Sequence, residues 1–550
     1  SRALWEEFEE HMVEDFLKEA ACSVNHAREH AMVDIALLLQ SMGKNIKNFD
    51  LPWTPMSTRD PSVSRELDDE RDIQVSEEDL RSVQMLNSSQ KRAFDLIIER
   101  TLAKKPGAFF VDGPGGTGKT FLYRALLAFV RKEGLIALAT ASSGVAASIL
   151  PGGRTAHSRF KIPLNIGPGV ECTVAKQGGL AKLLREAVLI IWDEAPMTKK
   201  QAIEAVDRML QDVCSCTDLF GGKVVVFGGD FRQVLPVVPK SSAQETIEAS
   251  LLTSPLWDKL IKCRLTINMR AQEDDSFSAL LLRIGDGLET PGLKDAIMVP
   301  TSMLVDGSCE APLLALINET FPDLKTKSGP GFSLGNRAIL APKNDVVDEI
   351  NNVLIKDFQG LEMLYRSYDT AIEANAYGFQ EDFCNTLTPS GFPPHLLRLK
   401  IGCPVMLLRN LDPSKGMCNG TRLRCIGFQP NVIVAEVESG SYKGNQIMIP
   451  RIPMLPLESE DVPFPFKRVQ FPVTLCFAMT INKAQGQTLD FVGICLTQPV
   501  FSHGQLYVAM SRARTASSVR VLIDSGIEQN MPTNVTRNVV YVDVLRLSRS

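Results

Sequence analysis

No stretch of this 550-residue chain stays apolar long enough to cross a membrane, and nothing at its start reads as a signal peptide. Metal-site spacing is missing too. The 12 cysteines are scattered, and Cys214-x-Cys216 has no second pair at zinc-finger distance. That argues against a zinc centre and for buried, reduced thiols in an intracellular protein. Nor does the chain carry the positive charge expected of a nucleic-acid binder, since its formal net charge is −5. The deficit is uneven. Residues 1–85 hold 19 acidic and nine basic side chains, against 64 and 59 in the whole chain, so the remainder is five positive. A mildly basic body behind an acidic extension permits a basic channel. Hydrophobic and charged contents of 44% and 22% are ordinary for a globular chain. The length predicts roughly three or four domains. The chain opens on Ser1 rather than Met, as a fragment would.

What is present is concentrated at one loop. Gly113, Pro114, Gly115, Gly116, Thr117, Gly118, Lys119 and Thr120 fit the phosphate-binding pattern GxxxxGK[ST]. The apolar run Ala108–Val111 ahead of it predicts a buried strand. Phe121, Leu122, Leu126, Leu127, Phe129 and Val130 behind it recur at helical spacing until Gly134. Glycines let backbone N–H groups face phosphate oxygens without Cβ clashes, and the helix N-terminus adds partial positive charge. Lys119 would reach the β- and γ-phosphates of ATP, and the Thr120 hydroxyl would ligate Mg²⁺. Gln90, in Asn87-Ser88-Ser89-Gln90, would hydrogen-bond an adenine edge, or it simply belongs to the start of a helix over Lys91–Leu102.

Further apolar runs end in polar tips, where ligands sit in a parallel sheet. Ala187–Ile191 leads into Trp192-Asp193-Glu194-Ala195. Two carboxylates at the end of a buried strand are costly without a partner, and Mg²⁺ with an attacking water supplies one. Asp193 would hold the metal and Glu194 would orient or deprotonate the water. Lys223–Phe227 ends in Gly228-Gly229-Asp230-Phe231-Arg232-Gln233, with Gln233 as candidate γ-phosphate sensor. Arg270 would reach a transferred phosphoryl group, or it is a surface arginine. After a strand over Leu135–Ala139 come Thr140 and Ser142, small hydroxyls that suit a phosphodiester backbone. Thr155, His157 and Phe160 belong to a stretch of cations, imidazole and aromatic that suits a single strand, or to a plain surface loop.

Before this body, Leu4, Trp5, Phe8, Met12, Phe16 and Leu17 make one apolar helical stripe, read as a docking face. A second helix is predicted over Ala27–Ser41, and an exposed Pro-, Ser- and acid-rich linker over Asp50–Glu78. The second half repeats the strand–helix theme at 338–342, 471–477, 491–496 and 519–523. A β-rich stretch of short strands and turns, about 353–470, interrupts it. Residues 503–514 read as a helix ending in cations.

Six motifs then occur in one order: the phosphate loop, Asp193-Glu194-Ala195-Pro196, Gly228–Gln233, Asn268-Met269-Arg270, Lys483-Ala484-Gln485-Gly486-Gln487-Thr488 and Val508–Arg514. That order is the one of superfamily 1B helicases. With Asp230–Pro236, Met406–Asn410 and Cys418–Leu423, the chain resembles the petite-integration-frequency (Pif) family of DNA helicases over about residues 86–525. Leu4-Trp5-Glu6, and Asn482 where cellular members more often carry histidine, are similar to the plant-type, Helitron-transposon-related variety.

The resemblance implies an α/β fold: two RecA-like P-loop NTPase domains, a small Src-homology-3-like β-barrel insert in the second, and a helical N-terminal extension. The ranges expected are 1–84 for the extension and linker, 85–268 for the first domain, 269–352 and 471–545 for the second, and 353–470 for the insert. It implies ATP and Mg²⁺ as cofactors, Arg270 and Arg512 as arginine fingers, and Gln485 as the coupler of nucleotide to DNA. Single-stranded DNA and DNA junctions would be the partners, met by Thr140, Ser142, Thr155, His157, Phe160, Phe231, Thr480 and Lys483. Unwinding would run 5′→3′ in repair, recombination and telomere maintenance, in the nucleus or the mitochondrion. One alternative is the helicase portion of a rolling-circle transposase whose nuclease lies elsewhere, since none of the six histidines forms a His-x-His pair. A non-enzymatic binding module would show decayed catalytic residues, and none of those named is decayed.

Overall fold

The computed structural model describes scattered residues up to Leu51, and from Pro61 onward all but 270–273, 289–294, 306–310, 325–333, 373–380, 413–414, 457–461, 524–531 and single positions elsewhere. The chain divides into two compact units, residues 1–72 with 175–183, and the rest. In the first, Trp5, Val13, Ala31, Met32 and Ile46 form a buried apolar cluster, while Phe8 and Met12 of the predicted stripe are exposed. Leu4, Phe16, Leu17 and most of the helix predicted over 27–41 lie outside the described residues. The predicted linker is partly helical. Pro61–Arg71 forms a helix in the first unit.

In the second unit, Glu77–Ser82 forms another, for a local reason. The Ser76 hydroxyl caps it by accepting from Asp79 N, three acidic residues fill its positive first turn, and Arg124 Nε meets Asp79 Oδ1 at 2.7 Å. Helix α1 (Ser88–Leu102) follows, opened by a capping box in which Asn87 and Gln90 serve each other's backbone N–H. Strand β1 (Gly107–Asp112) then enters the phosphate loop and helix α2 (Lys119–Lys132). Next come β2 (Ile136–Ala141), α3 (Gly144–Ser148), β3 (Arg154–Thr155), α4 (Ala156–Phe160), β4 (Ala187–Asp193), β5 (Val224–Gly229) and β6 (Ile261–Arg264). These strands form one parallel sheet in the order β3-β2-β4-β5-β1-β6. Because every strand points the same way, Asp112, Asp193 and Gly229 end on one edge. Continuous apolar sequence in β1, β4 and β5 matches burial on both faces.

The second parallel sheet starts at β7 (Arg337–Ala341), followed by helix α5 (Asn344–Asp357), which runs past the expected start of the insert. The chain then builds β8 (Pro404–Leu407), β9 (Arg422–Phe428), β10 (Val432–Val437), β11 (Gln446–Pro450) and β12 (Val473–Leu475). These pair antiparallel in the order β11-β10-β9-β8-β12, with shorter ribbons beside them. The second sheet resumes with β13 (Ala478–Thr480), β14 (Phe491–Leu496) and β15 (Val519–Ile523), order β13-β7-β14-β15. Helix α6 (Gln505–Met510) packs beneath it, every residue buried. One apolar cluster spans the antiparallel sheet and β7, so insert and second sheet share a core. The fold is therefore α/β, with two RecA-like sheets and an antiparallel insert.

Candidate nucleotide site

The phosphate loop is held by its own side chains before any ligand enters. Gly118 has φ +78°, and a Cβ there would stand 2.4 Å from Gln90 Nε2, so only glycine fits. The Thr117 hydroxyl donates to Pro114 O at 2.9 Å, and Lys119 Nζ turns back to donate to Gly113 O at 2.5 Å. Gln90 is engaged at both ends. Its Nε2 donates to Thr117 O at 3.1 Å, and its Oε1 accepts from Asn87 N at 3.0 Å. This amide braces the loop and completes the capping box at the start of α1, the second of the two roles expected for Gln90.

A cavity of about 510 Å³ opens over this loop. Gly115, Gly116, Gly118, Lys119 and Thr120 line one side, with Asp193, Glu194 and Gln233 beside them. Gly486, Thr488, Arg512 and Arg514 line it from the second sheet's side, so the two RecA-like halves enclose it together. Thr488 and Arg514 escaped sequence reasoning, as did Met269, whose N–H donates to Gly116 O at 2.9 Å. The signal was present, because Arg514 belongs to the same cationic run as Arg512. Arg270 lies outside the described residues.

Asp193 ends β4, and Glu194 follows in a left-handed conformation, φ 54° and ψ 37°. A residue with a Cβ pays on the order of 1 kcal/mol for that backbone. It is held by Glu194 N donating to Asp193 Oδ1 at 2.9 Å and by a tight turn over Ala195–Met197. Burial, then the charge of Asp193, raises the Glu194 carboxyl to about 7, with Lys119 and Arg512 pulling it down. Burial raises Asp193 as well, against the Lys119 ammonium. Two buried carboxyls pushed up together are a natural seat for a cation. One hydroxyl (Thr120) and one carboxylate (Asp193) on the cavity wall, with phosphate and water completing the shell, are hard oxygen donors of the kind Mg²⁺ takes. Among the described residues no three His, Cys, Asp or Glu gather into a metal site, and Cys214 and Cys216 are free thiols.

Gln485 reaches across the cleft. Its Nε2 donates to Gln233 Oε1 at 2.8 Å and stands 3.5 Å from Glu194 Oε2. Arg512 is anchored on its own half, Nε to Val508 O at 2.9 Å and NH1 to Gln487 O at 2.8 Å.

With this geometry in place, the chain's relatives agree with it. The family described as PIF1-like helicase matches residues 85–292, and the Pif1 helicase 2B domain matches residues 382–428. Over these two stretches the chain is similar to the Pif1-like helicases. The ATP-dependent DNA helicase PIF1 of Danio rerio is 27% identical over 496 residues, 86% of this chain and 69% of the relative. The human protein of that name is 27% identical over 435 residues, 76% of this chain and 58% of the relative. A Bacteroides Pif1 helicase solved with ADP-AlF3 and single-stranded DNA superposes with a TM-score of 0.58 at 24% identity, covering 87% of this chain and 97% of that one.

Within this Pif1-like fold, the residues expected to touch DNA separate into two groups. Thr140 falls inside β2, fully buried, and its hydroxyl donates to Ile191 O at 2.7 Å. Phe160 is fully buried and stacks on Trp192 at 5.5 Å. Phe231 is 2% exposed, stacked on Phe110 at 5.2 Å and edge-on to Trp257 at 5.4 Å. These three are core residues and do not face a strand. Ser142, Thr155 and His157 are half-buried at the carboxyl edge of the first sheet, although Ser142 already shares a hydrogen bond with Thr198 at 2.7 Å. Thr480 ends β13 and Lys483 stands on the rim of a second cavity of about 300 Å³. Asn482 accepts from Gln505 Nε2 at 3.3 Å.

Proposed function

We propose that the chain is an ATP-dependent DNA helicase that moves 5′→3′ on single-stranded DNA and unwinds duplex ahead of it. The observation that carries this reading is the contact of Gln485 with Gln233 and Glu194, by which the second half touches the hydrolytic carboxylate of the first. Lys119 and the loop amides bind the phosphates, and Mg²⁺ on Thr120 and Asp193 would neutralise their charge. Glu194 takes the proton of the attacking water, Gln233 orients the γ-phosphate, and Arg512 stabilises the charge that develops, with Arg270 as a second finger. Closing on ATP moves one grip along the strand while the other holds, and opening reverses them. Ser142, Thr155, His157, Thr480 and Lys483 are the residues left to hold that strand. The cellular setting we propose is repair, recombination and telomere maintenance in the nucleus.

The test has two parts. Phosphate release should require Mg²⁺, rise with single-stranded DNA of any sequence, and vanish in Lys119→Ala. Of two partial duplexes, the one with a 5′ single-stranded tail should open with ATP, and the 3′-tailed one should remain. Opening of the 3′-tailed substrate alone would overturn the direction, and absence of hydrolysis by folded protein would overturn the enzyme.

A further inference from the structure

We propose that Tyr507 is a positioning residue, a latch by which the second half of the molecule holds the Gly115 amide of the phosphate loop until a nucleoside triphosphate claims it. The proposal rests on the nucleotide reading above. Tyr507 lies on α6, 392 residues beyond Gly115, and is 1% exposed. Its hydroxyl accepts from Gly115 N at 3.0 Å and donates to Asp230 Oδ2 at 2.8 Å. Asp230 is fully buried, and its other oxygen is met by Arg232 N at 3.1 Å and Arg232 NH1 at 3.4 Å. Arg232 is in turn fixed by Asp286 at 2.8 Å. Asp230 therefore accepts the hydrogen bond of the phenolic O–H, and the oxygen's lone pairs are left to face the loop.

Loop amides of this kind turn toward phosphate oxygens. Here one of them is given to a neutral oxygen from another part of the fold. A phosphate oxygen carries charge and is the stronger acceptor, so an arriving triphosphate outcompetes the phenol. Gly115 lines the cavity on the side of Ser511 and Arg512, and a Cβ on it would stand 3.6 Å from the Tyr507 hydroxyl. Release of Tyr507 is felt at once by the finger, because Arg512 Nε is hydrogen-bonded to Val508 O in the next position of the same helix. Occupation of the loop is thus reported to the second half through one side chain.

The experiment titrates the full chain with a non-hydrolysable ATP analogue and, separately, with ADP, both with Mg²⁺, by calorimetry. Binding by wild type that Lys119→Ala abolishes is the expected baseline, and its absence would sink the nucleotide reading and the latch together. Tyr507→Phe deletes only the hydroxyl. It should bind the triphosphate about two- to tenfold more tightly, the range of one neutral hydrogen bond, with a smaller change for ADP. In steady state its KM for ATP and its kcat should both fall. Unchanged affinity would make Tyr507 a packing residue, and weakened affinity would make it a nucleotide ligand, so either result overturns the latch. Asp230→Asn keeps the phenol but removes the charge of the group to which its O–H donates. It should shift triphosphate affinity in the same direction, and a shift the other way also overturns the proposal.

Discussion

The amide of Gln485 donates to the amide of Gln233 at 2.8 Å, although the two residues are 252 positions apart and follow strands of different sheets. Both are about 3% exposed, so the bond is made away from water. A neutral hydrogen bond in such a place contributes about 0.5–1.5 kcal/mol, and it is lost whenever the halves separate. Gln485→Ala and Gln233→Ala, measured singly and together, should therefore show a coupling energy of about that size in the DNA-stimulated rate. Strict additivity of the two changes would mean that the pair does not act across the cleft.

Arg512 offers a second test. Its guanidinium is buried, satisfied by carbonyls of its own half, and lines the cavity opposite Lys119. Arginine fingers contribute about 10³–10⁵ to rate in phosphoryl transfer. Arg512→Lys keeps the charge but not the fork that serves two carbonyls and a phosphate at once. Turnover should drop by at least a hundredfold, on the order expected for one lost charge-stabilising donor. Nucleotide affinity, read by calorimetry, should stay within a few-fold. Equal losses in both would assign Arg512 to ground-state binding.

His503 makes a pH prediction. Its Nδ1 accepts from Tyr541 N at 2.8 Å, which leaves Nε2 to donate to Phe231 O at 2.8 Å. Both bonds need the neutral ring, and burial lowers its pKa from 6.5 to about 4. The folded state thus resists a proton that the unfolded chain takes near 6.5. The stabilisation is complete above pH 6.5 and is lost as pH falls toward 4, a total on the order of 3 kcal/mol. Melting curves of wild type and His503→Asn across that window should converge as pH falls. Parallel curves would show that the ring titrates normally.

Gly144 is where α3 meets the insert. A Cβ on it would lie 2.4 Å from Asn419 O, and one on Gly420 would lie 2.7 Å from Val145 Cγ2. Gly144→Ala forces that backbone apart, at a cost of about 1–3 kcal/mol. Amide hydrogen exchange should speed up in the turn Cys418–Thr421 while β1 and β4 stay protected. Unchanged exchange in the turn would show that the contact is slack.

Much of this molecule was legible along the chain because its chemistry is local. An apolar run long enough for one strand, followed at once by a glycine loop or paired acids, places Lys119, Thr120, Asp193, Glu194 and Gln233 at one edge once the strands are parallel. That edge needs only periodicity and strand direction, both of which neighbouring residues dictate. Surface and interior, by contrast, cannot be told apart at an aromatic or a small hydroxyl without knowing what lies opposite. Phe231 reads as a base-stacking ring until Phe110 and Trp257 close around it, and Thr140 reads as a loop hydroxyl until β2 runs on to Ala141 and Ile191 O receives its proton. The partners of Gln90, Gln485 and Tyr507 are 27, 252 and 392 residues away, and no local rule specifies them. The order of the chain determined the inventory of candidate site residues. Which of those groups meet was decided by the packing of two sheets on one cavity, because a hydrogen bond depends on angstroms in space and not on separation in sequence.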